Sequence, residues 1–132
     1  MFRLSKRVEY GLMALQHLAK SGNATTREIS AARQIPYDLL AKVMQSLKRD
    51  GIVDSYQGAH GGYAMLISPG SVNLSRVMNA LDEDTNLAEC MSTGISHEQC
   101  SMYENCTIKD PLNKLQMRME ESVGKMTIAE LL

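Results

Sequence analysis

The sequence predicts a mostly helical single domain carrying one small β-hairpin, on three observations. Apolar residues recur at helical spacing in several separate runs. Between two of those runs stand short apolar segments separated by the glycine-rich stretch Gln57-Gly58-Ala59-His60-Gly61-Gly62. A length of 132 residues leaves room for one core of ordinary size, not two.

The first helix is predicted to open at Ser5, a good N-cap, with Val8, Leu12, Leu15 and Ala19 as its buried stripe and Gly22-Asn23 as its end. Thr25-Thr26-Arg27-Glu28 has the form of a capping box and starts a short second helix reaching about Arg33. Pro36, with φ already set and no N–H to satisfy, marks the beginning of a third. Leu40, Val43, Met44 and Leu47 then fall at i, i+3, i+4 and i+7, and Gly51 is the stop. Ile52–Tyr56 and Tyr63–Ile67 are the expected strands, and the glycines between them permit the positive φ of a hairpin tip. A fourth helix is expected from about Ser71 to Leu81, with Leu74, Val77, Met78 and Leu81 on one face.

Residues 82–107 show no periodicity and contain all three cysteines. A structureless stretch of that length in a compact domain is usually functional or disordered. Beyond it, Ile108, Leu112, Leu115, Met119, Ser122 and Met126 step by four and three residues, the spacing of a helix that packs on another helix. Gly124 and the capping box Thr127-Ile128-Ala129-Glu130 predict a break and a final turn. Three short helices followed by a two-stranded hairpin is the winged helix-turn-helix order. The expected organisation is therefore one intertwined domain. It has a winged helix-turn-helix DNA-binding region over 1–81, a cysteine-bearing, cluster-binding loop over 82–107, and a dimerisation helix with its C-terminal turn over 108–132.

Apolar residues at 44% and charged residues at 22% exclude a disordered or collagen-like chain. No run approaches the roughly eighteen apolar residues of a membrane span, and Glu9, Gln16 and His17 interrupt any leader-peptide core, so a cytoplasmic chain without a membrane partner is expected. An enzyme is not expected. No glycine-rich phosphate loop precedes a helix, no nucleophile elbow is present, and His17 and His60 lack acidic partners.

The net charge of −1 conceals an asymmetry: nine Lys/Arg against five acids in residues 1–66, and five against ten in residues 67–132. One end is thus the better match for a polyanion. Turned away from its buried stripe, the third helix presents Asp38, Ala41, Lys42, Gln45, Lys48 and Arg49, with Tyr37 at its start. Short polar, amide and basic side chains of this kind suit base edges and phosphates, although the same composition describes a solvated helix face. The hairpin directly after the helix favours the first reading, because a wing follows the phosphate backbone or probes the minor groove. The candidate DNA contacts are Arg3, Thr26, Tyr37, Asp38, Lys42, Gln45, Gln57 and His60. Ile108, Leu112, Leu115 and Met119 are the candidate dimer contacts.

The pattern Cys90-x9-Cys100-x5-Cys106 offers three soft thiolate donors, which suit iron–sulfur clusters and also zinc. The close Cys-x2–4-Cys pair of a structural zinc site is absent from the sequence, and three free buried thiols are the remaining reading.

Arg3-Leu4-Ser5-Lys6, Tyr10-Gly11-Leu12, Gly51-Ile52-Val53, the wing Ser55–Tyr63, the late cysteines and Thr127–Leu131 together resemble the Rrf2 family, the bacterial winged-helix regulators of the IscR, NsrR and RirA type. The resemblance runs from residue 2 to about 131. It implies a homodimeric transcription regulator, most simply a repressor, that binds operator DNA under the control of an iron–sulfur cluster, 4Fe-4S rather than 2Fe-2S, sensing iron or cluster status, nitric oxide or redox state. The other readings are a metal-free or zinc-stabilised winged-helix regulator and a small iron–sulfur carrier. The resemblance further implies Cys90, Cys100 and Cys106 as ligands. Some members carry a His three residues after the last cysteine, where this chain has Lys109. Nitric-oxide-responsive members instead place a carboxylate in the first helix, reaching the partner subunit's cluster, and Glu9 occupies that place here; His97 is the alternative fourth ligand. Gln57 is a departure, since many members have Arg there, and Gln keeps hydrogen bonding while losing attraction to a narrow minor groove.

Overall fold

The computed structural model describes residues 3–59, 61–83 and 105–132. Helix α1 spans Lys6–Ser21, begun by Ser5, whose hydroxyl accepts from the Val8 N–H, and ended by Gly22 at φ 85°. Its buried face is Val8, Gly11, Ala14, Leu15 and Leu18, while Leu12 and Ala19 are only half-buried. The stripe is therefore rotated from the one the sequence predicts. The reason is close helix packing: a Cβ on Gly11 would lie 2.8 Å from Leu81 Cδ1, so the small residues of α1 face the neighbouring helix.

Helix α2 covers Thr26–Arg33, and Thr25 caps it by accepting from the Glu28 N–H at 3.0 Å. Gln34 leaves it in the left-handed conformation, φ 56°. Helix α3 covers Tyr37–Arg49, and Pro36 stands just outside as the capping residue, its carbonyl taking the first helical bond from Leu40. Leu40, Val43, Met44 and Leu47 are buried as the periodicity predicts, and Gly51, φ 83°, follows the helix.

Strands β1 (Val53–Tyr56) and β2 (Gly62–Met65) pair antiparallel in the register Val53 with Met65 through Tyr56 with Gly62. The hairpin is tied to the helical body as well, where Ala24 and Tyr63 exchange backbone hydrogen bonds of 3.0 and 2.8 Å. Only glycine fits at 62: φ is 153°, and a Cβ would sit 2.6 Å from the Ala24 carbonyl oxygen.

Helix α4 is shorter than expected, Leu74–Ala80, because Pro69–Ser71 forms a separate 3-10 turn and Asn73 provides the cap. It closes in a Schellman motif, with Asp82 left-handed at φ 56°, its N–H bonding Asn79 O and the Glu83 N–H bonding Met78 O. Helix α5 runs Lys109–Lys125 through Gly124 and breaks at Met126, slightly later than the glycine suggests. The expected capping box at Thr127 is formed with both bonds, and Ile128–Leu131 is a 3-10 turn. That turn locks the chain end to the core. Leu74 N–H bonds Met126 O, Ile128 N–H bonds Val72 O, and Gln16 Nε2 donates to Leu131 O at 2.6 Å. Leu15, Leu18, Ile29, Leu40, Met44, Leu47, Ile52, Leu81 and Ile128 form one continuous core beneath α1, α3 and α4.

Candidate nucleic-acid interface and the cysteine segment

The inward turn of Leu40, Val43, Met44 and Leu47 leaves Asp38, Lys42, Gln45 and Arg49 exposed at i, i+4, i+7 and i+11, one stripe along α3. A carboxylate, an ammonium, an amide and a guanidinium on one helix face supply donors and acceptors for both base edges and phosphates.

Contacts with neighbouring elements stand at both ends of this stripe. Arg27 of α2 lies over the ring of Tyr37, 5.5 Å from its centroid. At the other end Lys48 Nζ donates to Ser55 Oγ of β1 at 2.6 Å. Arg76 of α4 holds the end of α3 with Nε to Asp50 Oδ2 at 2.9 Å and Nη2 to the Asp50 carbonyl at 2.9 Å, a charge placed well for the negative end of the helix dipole. Between them Arg7 of α1 donates to Ser46 Oγ at 3.4 Å. The wing tip is set beside the start of α2, with Gly58, Ala59 and Gly61 facing Asn23, Thr25 and Glu28 across an open cleft.

Of the expected DNA contacts, Tyr37, Asp38, Lys42, Gln45 and Gln57 are exposed on α3 and the wing, Arg3 is exposed ahead of α1, and Thr26 is half-buried as the first residue of α2. His60 lies outside the described residues. Arg27, Arg76 and Arg7 escape sequence reasoning, since each acts through a contact between helices that no local pattern reveals.

The cysteine segment leaves α4 at a structured point. Glu83 Oε1 accepts from the Ser5 backbone N–H at 3.2 Å. Position N3 of α1 is Val8, which cannot complete a capping box, so a distant carboxylate takes the place of the usual Glu or Gln. The missing acid or amide at N3 is the one sign of this in the sequence. Cys106 is half-buried just before α5, while Cys90, Cys100 and His97 lie outside the described residues. Glu9 is on α1 with Oε2 3.0 Å from Lys6 Nζ, and the hydrogen bond and charge of Glu9 raise the Lys6 ammonium above its usual pKa. Among the described residues no three His, Cys, Asp or Glu side chains converge to hold a metal. By chemistry, three thiols and one carboxylate fit an iron–sulfur centre with one harder, more weakly held corner.

Along α5, Ile108 (56% exposed), Leu115 (44%) and Met126 (42%) stand open to solvent. Leu112 and Met119 are half-buried, and Gln116 and Val123 turn inward. The expected seam thus combines exposed Ile108 and Leu115 with half-buried Leu112 and Met119, while Val123 beyond it packs on the core. No helix among the described residues is long and apolar enough to cross a membrane.

Residues 4–132 match the Rrf2 family, described as iron-dependent transcriptional regulators. A putative HTH-type transcriptional regulator of Synechocystis is 33% identical over 98% of this chain and 86% of its own length. The HTH-type transcriptional regulator NsrR of Oceanobacillus iheyensis is 26% identical over 98% and 88%. In three dimensions the chain is similar to CymR, the global cysteine regulator of B. subtilis, with a TM-score of 0.76 at 19% identity over 99% of this chain and 96% of that one. These relatives are transcriptional regulators, not enzymes, and the two-stranded wing on a helical body is the fold they share. This chain belongs to the Rrf2 family of transcriptional regulators.

Proposed function

We propose that the protein is a cytoplasmic, homodimeric repressor whose grip on operator DNA is set by an iron–sulfur cluster, 4Fe-4S in preference to 2Fe-2S. Cys90, Cys100 and Cys106 would hold the cluster, with Glu9 of the second copy as the fourth ligand. Residues 1–81 form the DNA-binding part, 82–107 the sensing loop and 108–132 the dimer helix. The observation that carries this reading is the gathering of every cysteine between α4 and α5, in a family described by its iron dependence.

When bound, such a cluster supplies a tie between thiolates and carboxylate together with sensitivity to iron supply, nitric oxide or redox state. The rest belongs to this chain. Glu9 is already paired with Lys6, but both side chains are well exposed, 43% and 76%, so leaving that pair costs little. Glu83 ties the entrance of the cysteine segment to the start of α1, and Arg7 ties α1 to α3. A shift at residue 83 is thereby felt at the helix that reads DNA. Two copies must present two such helices at the DNA repeat, so a small change of angle decides between binding and release.

A second reading is a winged-helix regulator without a metal, or with zinc, which thiolates also bind; the chain shares its fold with CymR, which is named a cysteine regulator. Native mass spectrometry of protein purified without oxygen separates the two. The proposal expects two chains with iron and inorganic sulfide. Two chains with zinc, or with no metal, select the second reading.

A further inference from the structure

We propose that Arg27, laid across the ring of Tyr37, is a preset clamp for a DNA phosphate that seats the first turn of α3 in its groove. The inference rests on the DNA-binding reading and adds a contact to it.

Arg27 is the second residue of α2, and Tyr37 is the first residue of α3. Both are exposed, Tyr37 by 46%, an unusual position for a large aromatic ring with a guanidinium laid over it. A guanidinium stacked on a ring keeps the N–H donors of its edge free, and its fork matches two phosphate oxygens. Arg27 makes no ion pair among the described residues, although Glu28 and Asp38 stand next to Arg27 and Tyr37 in sequence.

The stack is not needed to hold the turn between the helices. Ser30 Oγ donates to Ile35 O at 2.5 Å, the Ile35 N–H bonds Ser30 O at 3.1 Å, and Ile35 itself is buried. The turn is therefore rigid before the stack is counted, and the stack instead restrains a long, otherwise mobile cation. Restraint of that kind removes an ordering cost at the moment of binding. The first helix of a helix-turn-helix crosses the phosphate backbone while the start of the second meets the bases, and this pair joins those two places.

The test uses a duplex selected from a randomised pool by the protein itself, with affinity measured over a salt series. Failure to select any duplex overturns the DNA-binding reading as a whole, and with it this proposal. Given a duplex, Arg27→Ala should weaken binding roughly tenfold per half-site, the worth of a charged hydrogen bond. It should also lower the logarithmic salt slope by about 0.9 for each phosphate that Arg27 neutralises in the wild-type complex. Tyr37→Leu and Arg27→Lys should weaken binding and keep the slope, because the charge stays while its restraint goes. Combining Arg27→Ala with Tyr37→Leu should weaken binding no more than the larger single change. Wild-type affinity and slope in Arg27→Ala, or fully additive effects of the two changes, would overturn the clamp. Circular dichroism on every variant confirms that the exposed substitutions leave the helices formed.

Discussion

Gly62 shows how far a single position governs the interface. Its φ of 153° and the 2.6 Å approach of the Ala24 carbonyl leave no room for a Cβ. Gly62→Ala should cost about 1–3 kcal/mol through backbone strain and push the wing off the α1–α2 connection. Weaker DNA binding with helical circular dichroism intact is the expected outcome, and full affinity would mean that the wing does not take part. Lys42 is the complementary case, a residue whose role is charge. If it meets phosphate, Lys42→Ala lowers the salt slope by about 0.9 per phosphate neutralised, whereas weaker binding at an unchanged slope means that it reads a base edge. At this scale much is legible in the sequence. Ser5, Thr25 and Gly51 announce their local roles because caps and stops depend on neighbours within a few residues. Arg27 on Tyr37, Arg76 on Asp50 and Glu83 on Ser5 do not, since partners 10, 26 and 78 residues apart are joined only by the fold.

Among the elements, α3 follows its sequence period closely, and α1 does not. The stripe of α3 is made of large residues that bury area wherever the helix packs. That of α1 includes Gly11 and Ala14, small enough for a close approach to its neighbours, and a search for large apolar residues passes over them. Helix α4 starts late because Pro69–Ser71 is taken up in a 3-10 turn and Asn73, whose side chain accepts from the Arg76 N–H, caps the helix. The junction between α4 and α1 is an element-level device that can be broken alone. Glu83→Ala removes one capping bond at the start of α1 and should cost about 1 kcal/mol in a denaturant titration. It should also shrink the difference in DNA affinity between metal-bearing and metal-free protein, and an unchanged difference would remove Glu83 from the coupling. Helix α5 carries the dimer prediction. Ile108 and Leu115 are exposed in the single chain, so Ile108→Asp with Leu115→Asp leaves the fold in place while forcing charge into any seam between copies. Monomers in sedimentation are expected, and a persistent dimer would place the seam elsewhere.

For the molecule as a whole, charge segregation and chain order describe the same division. A chain of net charge −1 presents its basic half, residues 1–66, through α1 to β2, and carries its cysteines and most of its acids in the other half. The two are not separate bodies. Ile128 is fully buried in the common core, and the last turn bonds both α1 and the lead into α4. A change in residues 82–107 therefore acts on a molecule whose DNA-reading and C-terminal parts share one interior. Control of the grip on DNA by the cysteine segment is the proposal on which the rest depends. Its most direct test is the affinity for a selected duplex, measured without oxygen, before and after the bound metal is removed by chelation, with Cys106→Ala as the parallel variant. A large drop in affinity on removal, reproduced by Cys106→Ala at unchanged helix content, is the predicted result. Equal affinity in all three preparations would contradict the account.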